Sequence, residues 1–246
     1  FWYGVHGCEI LFTIMGQEVT AKQAYFAVLR EYDDVPLWRK RAADQLMAQV
    51  HGGDAEKIRE YRRLIQDAAD FPALMAEAQL SIADILFRQG DYERARIELE
   101  GMEDLVPNLP WALAKARISL AKIHAASGDA LKGIFLLKEV IDTYGGIEGG
   151  IYQVEAGQAL FELYFSTAER LRRQGDHALA ASRYQEAMRL HPDDIRVHWG
   201  LSESMFRAGK IESLLDSCGA WLQQEPRNPV LLYATGLALS YQAEKN

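Results

Sequence analysis

Apolar residues recur along this chain three and four positions apart, in stretches separated by glycine, proline and charged residues, which is the spacing of helices that bury one side. The pattern predicts helices at about 17–32, 39–51, 54–69, 72–89, 91–105, 110–127, 129–144, 151–173, 176–190, 194–208, 210–224 and 229–243. No segment alternates as a strand does. The dipeptides Gly90-Asp91, Gly128-Asp129, Gly175-Asp176 and Gly209-Lys210 each follow one apolar stretch and precede another. Gly175 and Gly209 lie 34 residues apart, and the earlier intervals of 38 and 47 imply longer connections. Upstream, Gly53-Asp54 fits the same scheme. A period of this length is the mark of stacked helical units.

The units resemble the tetratricopeptide repeat family. In 161–194, Ala168 stands at the first helix crossing with Leu171 beyond it, Ala180 and Ala187 lie in the second helix with Tyr184 between them, and Pro192 closes the unit. Equivalent places in 76–109 hold Ala83, Leu86, Tyr92, Ala95, Leu99 and Pro107; in 195–228 they hold Leu201, Met205, Trp221 and Pro226. The unit from 114 keeps Leu120, Ala121, Gly133 and Leu137 without a closing proline. The resemblance covers 39–243, strongly from 76 onward. Gly133 and Leu214 depart from the usual alanine, and Gly236 is the glycine expected at a first crossing. Small side chains let helix axes approach to about 8 Å, and the proline sets the turn. Asp193 and Asp194 are placed to cap the next helix.

The resemblance implies an all-α fold of antiparallel helix hairpins stacked into a right-handed superhelix, an α-solenoid. The expected organisation is an N-terminal apolar segment and helix (1–38), one half-array (39–144), a glycine-rich connection (145–150) and a second half-array (151–246). The run YGGIEGG at 144–150 reads either as a hinge between half-arrays or as an ordered loop that accommodates the insertion.

In this family the first helix of each pair lines the inner face, and function usually lies on that surface. Carried over residue by residue, this places Leu80, Asp84, Phe87 and Arg88 in the groove, then Ile118, Lys122 and Ala125, then Phe165, Glu169, Arg172 and Arg173. Trp199, Glu203, Phe206 and Arg207 follow, with Tyr233, Leu237 and Tyr241 last. Aromatic and arginine side chains together have the composition of a binding hot spot. Phe165, Trp199 and Phe206 have a second reading, as side chains buried between neighbouring units. Family members that clamp a chaperone's terminal carboxylate use asparagine and lysine on this face. Here Asp84, Lys122, Glu169 and Glu203 stand there, so that clamp is not expected.

Composition narrows the classes. The hydrophobic fraction of 49% and charged fraction of 25% are those of a globular protein, and the net charge of −8 argues against nucleic acid as a partner. Cys8 and Cys218 stand far apart and imply no disulfide framework. The opening FWYGVHGCEILFTIM (1–15) is apolar and aromatic, as in a fragment or a processed chain. It is shorter than the roughly 20 residues that span a bilayer, and no stretch in 16–246 is apolar enough to do so. Phe1, Trp2 and Tyr3 read either as packing on the first helix or as the interfacial end of a membrane helix. The second reading leaves open a membrane-anchored complex reached through the N-terminus.

Candidate chemistry is sparse. HPDDIRVH, with His191, Asp193, Asp194 and His198, crosses a proline turn, so turn and cap chemistry explains it better than a metal site. His124 and His177 read as structural. Cys218 lies on a packing face without a histidine at helical spacing. Glu31, Asp33 and Asp34 read as a helix end, and the runs Arg39-Lys40-Arg41 and Arg170 with Arg172 and Arg173 as solvated faces. No glycine pair has the surroundings of a phosphate loop, and no cofactor is implied. The expectation is a non-catalytic scaffold or adaptor that holds a peptide or protein in a concave groove. The alternative is the docking or regulatory part of a larger enzyme or membrane-anchored assembly. A third, weaker reading is a helical enzyme using a groove carboxylate.

Overall fold

The computed structural model describes residues 18–32 and 34–245. The aromatic start at Phe1 to Tyr3, Cys8 and Asp33 lie outside the described residues. Compactness divides the chain into two units, one ending at Ala116 and the other beginning at Arg117. Among the described residues every regular element is helical, and no helix is long and apolar enough to cross a membrane.

The first unit contains α1 (Glu18–Glu31), α2 (Pro36–Ala48), α3 (Asp54–Asp67), α4 (Pro72–Arg88), α5 (Tyr92–Glu100) and α6 (Met102–Leu105). The next helix, α7 (Pro110–Ala126), runs across the division. The single helix expected at 91–105 is two, because Gly101 closes α5 and opens α6. The helix expected from 39 starts at Pro36, whose ring presets the helical φ where no amide donor is needed. The core of this unit is built from Tyr25, Leu29, Leu46, Leu64, Phe71 and Leu74, with Ala42, Ala68 and Ala78 at close approaches. The rings of Phe26 and Phe71 lie 6.1 Å apart.

The second unit continues with α8 (Ala130–Tyr144), a 3-10 turn (Ile147–Gly150), α9 (Ile151–Gln174), α10 (His177–Leu190), α11 (Ile195–Arg207), α12 (Ile211–Gln224) and α13 (Pro229–Lys245). Each helix packs on its neighbour in sequence, and α11 also packs on α9 and α13. The glycine-rich stretch falls inside this unit. Glu148, Gly149 and Gly150 take left-handed φ values of 48°, 70° and 86°, and Glu148 Oε2 accepts a hydrogen bond from the Tyr152 hydroxyl at 3.0 Å.

The four glycine bends are chemically equivalent. Gly90, Gly128, Gly175 and Gly209 have φ of 78°, 93°, 88° and 72°, a region that costs a side-chain-bearing residue energy. In each, the following amide reaches back five residues: Asp91 to Leu86, Asp129 to His124, Asp176 to Leu171 and Lys210 to Met205, at 2.8 to 3.0 Å. The glycine amides donate three residues back, to Phe87, Ala125, Arg172 and Phe206. This is the double bond pattern that satisfies the last carbonyls of a helix. Asp91 and Asp129 then cap the next helix by accepting from the amides of Arg94 and Lys132. Gly53-Asp54 is different: the left-handed residue is Gly52, while Gly53 at φ −73° is the N-cap, its amide donating to Glu56.

Small residues set the crossings. Ala168, Ala180 and Ala187 are fully buried around Tyr184 in the α9–α10 hairpin. Gly133 replaces alanine because a Cβ there would stand 2.9 Å from the Ala121 carbonyl oxygen and 3.0 Å from Leu163. Gly200, which the repeat pattern does not single out, lies against Tyr184 so closely that a Cβ would overlap the ring. Gly236, expected at a crossing, is exposed with nothing within 4 Å of its Cβ position.

Candidate functional site

Within the second unit, α9, α11 and α13 each open a helical pair or stand at its place, and they bring one face of each together. On α9 and α11 a chain of polar groups joins the elements. Arg172 donates from Nε and a terminal nitrogen to Glu169 at 3.3 and 3.0 Å, and from its other terminal nitrogen to Glu203 on α11 at 2.9 Å. Arg207 Nε donates to Glu203 at 3.0 Å. The hydroxyl of Tyr184, on α10, donates to Glu169, whose carboxylate also lies 3.6 Å from Arg173. Hydrogen bonding to Arg172 holds the Glu169 carboxyl below its ordinary value against the opposing effect of burial, with Tyr184 adding to the depression. Burial and the neighbouring Glu169 raise the phenol of Tyr184, so it stays a neutral donor.

The aromatic residues divide into two kinds. Phe165 is half-buried, with the Tyr184 ring edge-on at 6.0 Å and the Arg196 guanidinium 4.9 Å over its face. Trp199 and Tyr233 are 48% and 58% exposed and stacked on each other, with ring centroids 5.8 Å apart and planes at 29°. Beside them α11 and α13 leave a cleft of about 310 Å³, walled by Trp199, Phe206, Tyr233 and Leu237 and edged by Glu203 and Arg207. Leu214 and Ala234 complete its apolar lining. The buried hydroxyl of Ser202 sits at its floor beside the Cys218 thiol, which burial pushes to a higher pKa.

The remaining sequence-derived positions are not part of this cleft. Phe87, at the end of α4 in the first unit, is half-buried with its ring 5.5 Å from that of Tyr92, and the exposed Arg88 donates to Asp84 at 3.0 Å. Lys122 on α7 is exposed, whereas Ile118, one turn earlier, is 1% exposed and belongs to the core. The side chain of Tyr241 lies outside the described residues. Ser202 was legible only as a small residue at a crossing, the place held by Ala168 one repeat earlier. Leu214 and Ala234 carried no signal beyond packing.

The run at 191–198 does turn and cap work. Asp194 accepts from the Arg196 amide at 2.8 Å and pairs with its guanidinium, while His198 Nε2 donates to the Pro192 carbonyl at 2.6 Å. His191 lies 4.4 Å from the Phe161 ring and His198 is 5.6 Å from Trp221, both edge-on.

Hairpins of antiparallel helices joined by equivalent glycine bends, with small residues at the crossings, define an α-helical repeat protein. Residues 58–110, within the first unit, and 165–229, within the second, match the family model of the tetratricopeptide repeat, so the chain carries tetratricopeptide repeats in both units. Comparison with curated protein sequences gives no match. Among solved structures, the chain is similar to the TPR2AB domain of yeast Sti1 in complex with an Hsp90 peptide, at 16% identity and a TM-score of 0.38, covering 83% of this chain and 86% of that one. It is also similar to the tetratricopeptide repeat domain of P58(IPK), at 18% identity and a TM-score of 0.32, covering 98% and 69%. Scores this low carry no binding mode across.

Proposed function

We propose that this protein is a non-catalytic scaffold or adaptor that holds a peptide or partner protein in the cleft of its second unit. The observation that carries the reading is the stacked, half-exposed pair Trp199 and Tyr233 beside a cleft walled by Phe206 and Leu237. Large aromatic surface left in water beside a preformed apolar hollow is costly unless something covers it, and aromatic anchors of this kind dominate binding energy when they are desolvated. The polar chain behind the cleft supports the same reading. Arg172, Glu203 and Arg207 restrain one another, so a guest meets charges already oriented and loses less side-chain freedom on binding.

Trp199→Ala and Phe206→Ala test this directly. Partner capture from the source cell, with bound proteins identified, is measured beside the thermal transition of each variant. Trp199→Ala is expected to weaken capture by about 2 kcal/mol, near thirtyfold, while leaving the fold intact because the ring is half in water. Undiminished capture by a folded Trp199→Ala protein removes the cleft as the site.

A further inference from the structure

Hydrogen bonding along the cleft of the second unit leaves its two signs of charge unequal. Of the residues that line the cleft, only Glu203 and Arg207 are charged. Both oxygens of Glu203 are taken: Oε1 accepts from Arg207 Nε at 3.0 Å, and Oε2 accepts from Arg172 at 2.9 Å. Glu169 behind it is in the same condition, with Oε1 accepting from Arg172 and the Tyr184 hydroxyl and Oε2 from Arg172 again. Arg172 in turn uses all three of its nitrogens on these two carboxylates. Arg207 does not. Among the described residues its Nε alone is engaged, and its two terminal nitrogens have no hydrogen-bond partner.

Exposure follows the same division, since the Arg207 side chain is 58% exposed and that of Glu203 is 23% exposed. The bond from Nε restrains the guanidinium, so its terminal N–H groups form an oriented fork, the shape that a carboxylate meets with two parallel bonds. An arriving cation would instead have to displace Arg172 or Arg207 from Glu203. Arg172, Arg173 and Arg207 stand against Glu169 and Glu203, so positive charge is in local excess. The chain's net charge of −8 does not reverse this, because exposed charges more than about 8 Å apart are largely screened at physiological ionic strength.

Spacing adds a second constraint. Trp199 and Arg207 are the first and last residues of α11 in the cleft wall, about 12 Å apart along the helix axis. An extended guest advances about 3.3 Å per residue, so three or four residues cover that distance. Resting on the reading of this cleft as the binding site, we propose that its guest is a segment of a partner polypeptide with an internal acidic side chain three or four residues from a large aromatic anchor. The anchor lies against Trp199 and Tyr233, and the carboxylate takes the two free nitrogens of Arg207.

The test uses the full chain and three peptides blocked at both ends. Each has a central tryptophan, with glutamates, glutamines or lysines placed three and four residues to either side, and backbone amide shifts are followed during titration. The glutamate peptide is expected to shift the amides of Glu203, Phe206, Arg207 and Tyr233 and to bind about tenfold tighter than the glutamine peptide, by a margin that shrinks as salt is raised. The lysine peptide is expected to bind weakest. Arg207→Gln should weaken the glutamate peptide about tenfold and leave the glutamine peptide unchanged, which also shows that the variant is folded. Trp199→Ala should weaken both by similar factors. Equal binding of the three peptides at these amides overturns the acidic preference and leaves the cleft standing as a binding site. So does a glutamate peptide that binds Arg207→Gln undiminished, or a variant that loses both peptides equally. No shift at these amides with any of the three at millimolar concentration overturns the preference and the cleft together.

Discussion

Beside the cleft of the second unit, Glu169 and Glu203 are held by Arg172, Arg173 and Arg207, and a buried tyrosine adds its hydroxyl. In the first unit, a cleft between α2 and the start of α4 is lined by Asp44 and Glu77, and the half-buried Glu77 carboxyl is pushed up by burial and then by Asp44, with Lys115 and Lys40 opposing. Each cleft lies between helices that open successive pairs, yet the two use charge in opposite ways. One carboxylate is made more acidic by its partner and the other less acidic by its surroundings. Helix packing decides where a hollow forms; the residues at a few positions decide whether its charges are held in ion pairs.

The largest expected effect breaks the second unit alone. Gly200→Ala puts a methyl group into the Tyr184 ring, which cannot withdraw because it is fully buried and its hydroxyl is held by Glu169. The expected loss is about 3 kcal/mol, read from urea unfolding and confined to the second unit in hydrogen exchange. Gly157→Ala is its control: it lies on α9 with nothing within 4 Å of the Cβ position, and should stabilise by about 0.5–1 kcal/mol. Similar outcomes for the two would show that the approach of Tyr184 to Gly200 is not required.

A smaller effect isolates the polar chain. Tyr184→Phe keeps the ring and removes the donor to Glu169, at an expected cost of about 1.5 kcal/mol in the same unfolding measurement. No change would mean that Arg172 and Arg173 hold Glu169 unaided.

The smallest effect sharpens the contrast through pH. Because the folded-state pKa of Glu169 is depressed, its contribution is complete above the ordinary carboxylate value and is lost as pH falls through the depressed one. Glu77 has the opposite sign: its raised pKa means that folding strengthens as pH falls through that raised value toward the ordinary one. Glu77→Gln should therefore stabilise at neutral pH by an amount that shrinks on acidification. Glu169→Gln should destabilise at neutral pH and lose its effect only below the ordinary carboxylate range. Unfolding midpoints of both variants across pH 3–7 provide the check, and shifts of the same sign would break the comparison.

Much of the architecture was legible in the chain because it depends on local chemistry. A glycine after a helix, followed by a residue that caps the next, specifies a bend through bonds spanning at most five residues, so Gly90, Gly128, Gly175 and Gly209 could be placed without any tertiary information. The same holds for the prolines that start α2, α4, α7 and α13. What the chain alone did not decide was which aromatic side chains lie in water. Phe165 and Trp199 stand at equivalent helical places, but Phe165 is covered by Tyr184 and Arg196, while Trp199 stacks on Tyr233 and stays half exposed. The need for glycine at 200, the exposure of Gly236 and the raised carboxyl of Glu77 are of the same kind. Each depends on how close a residue from another helix comes, and that distance is set by the packing of many side chains at once.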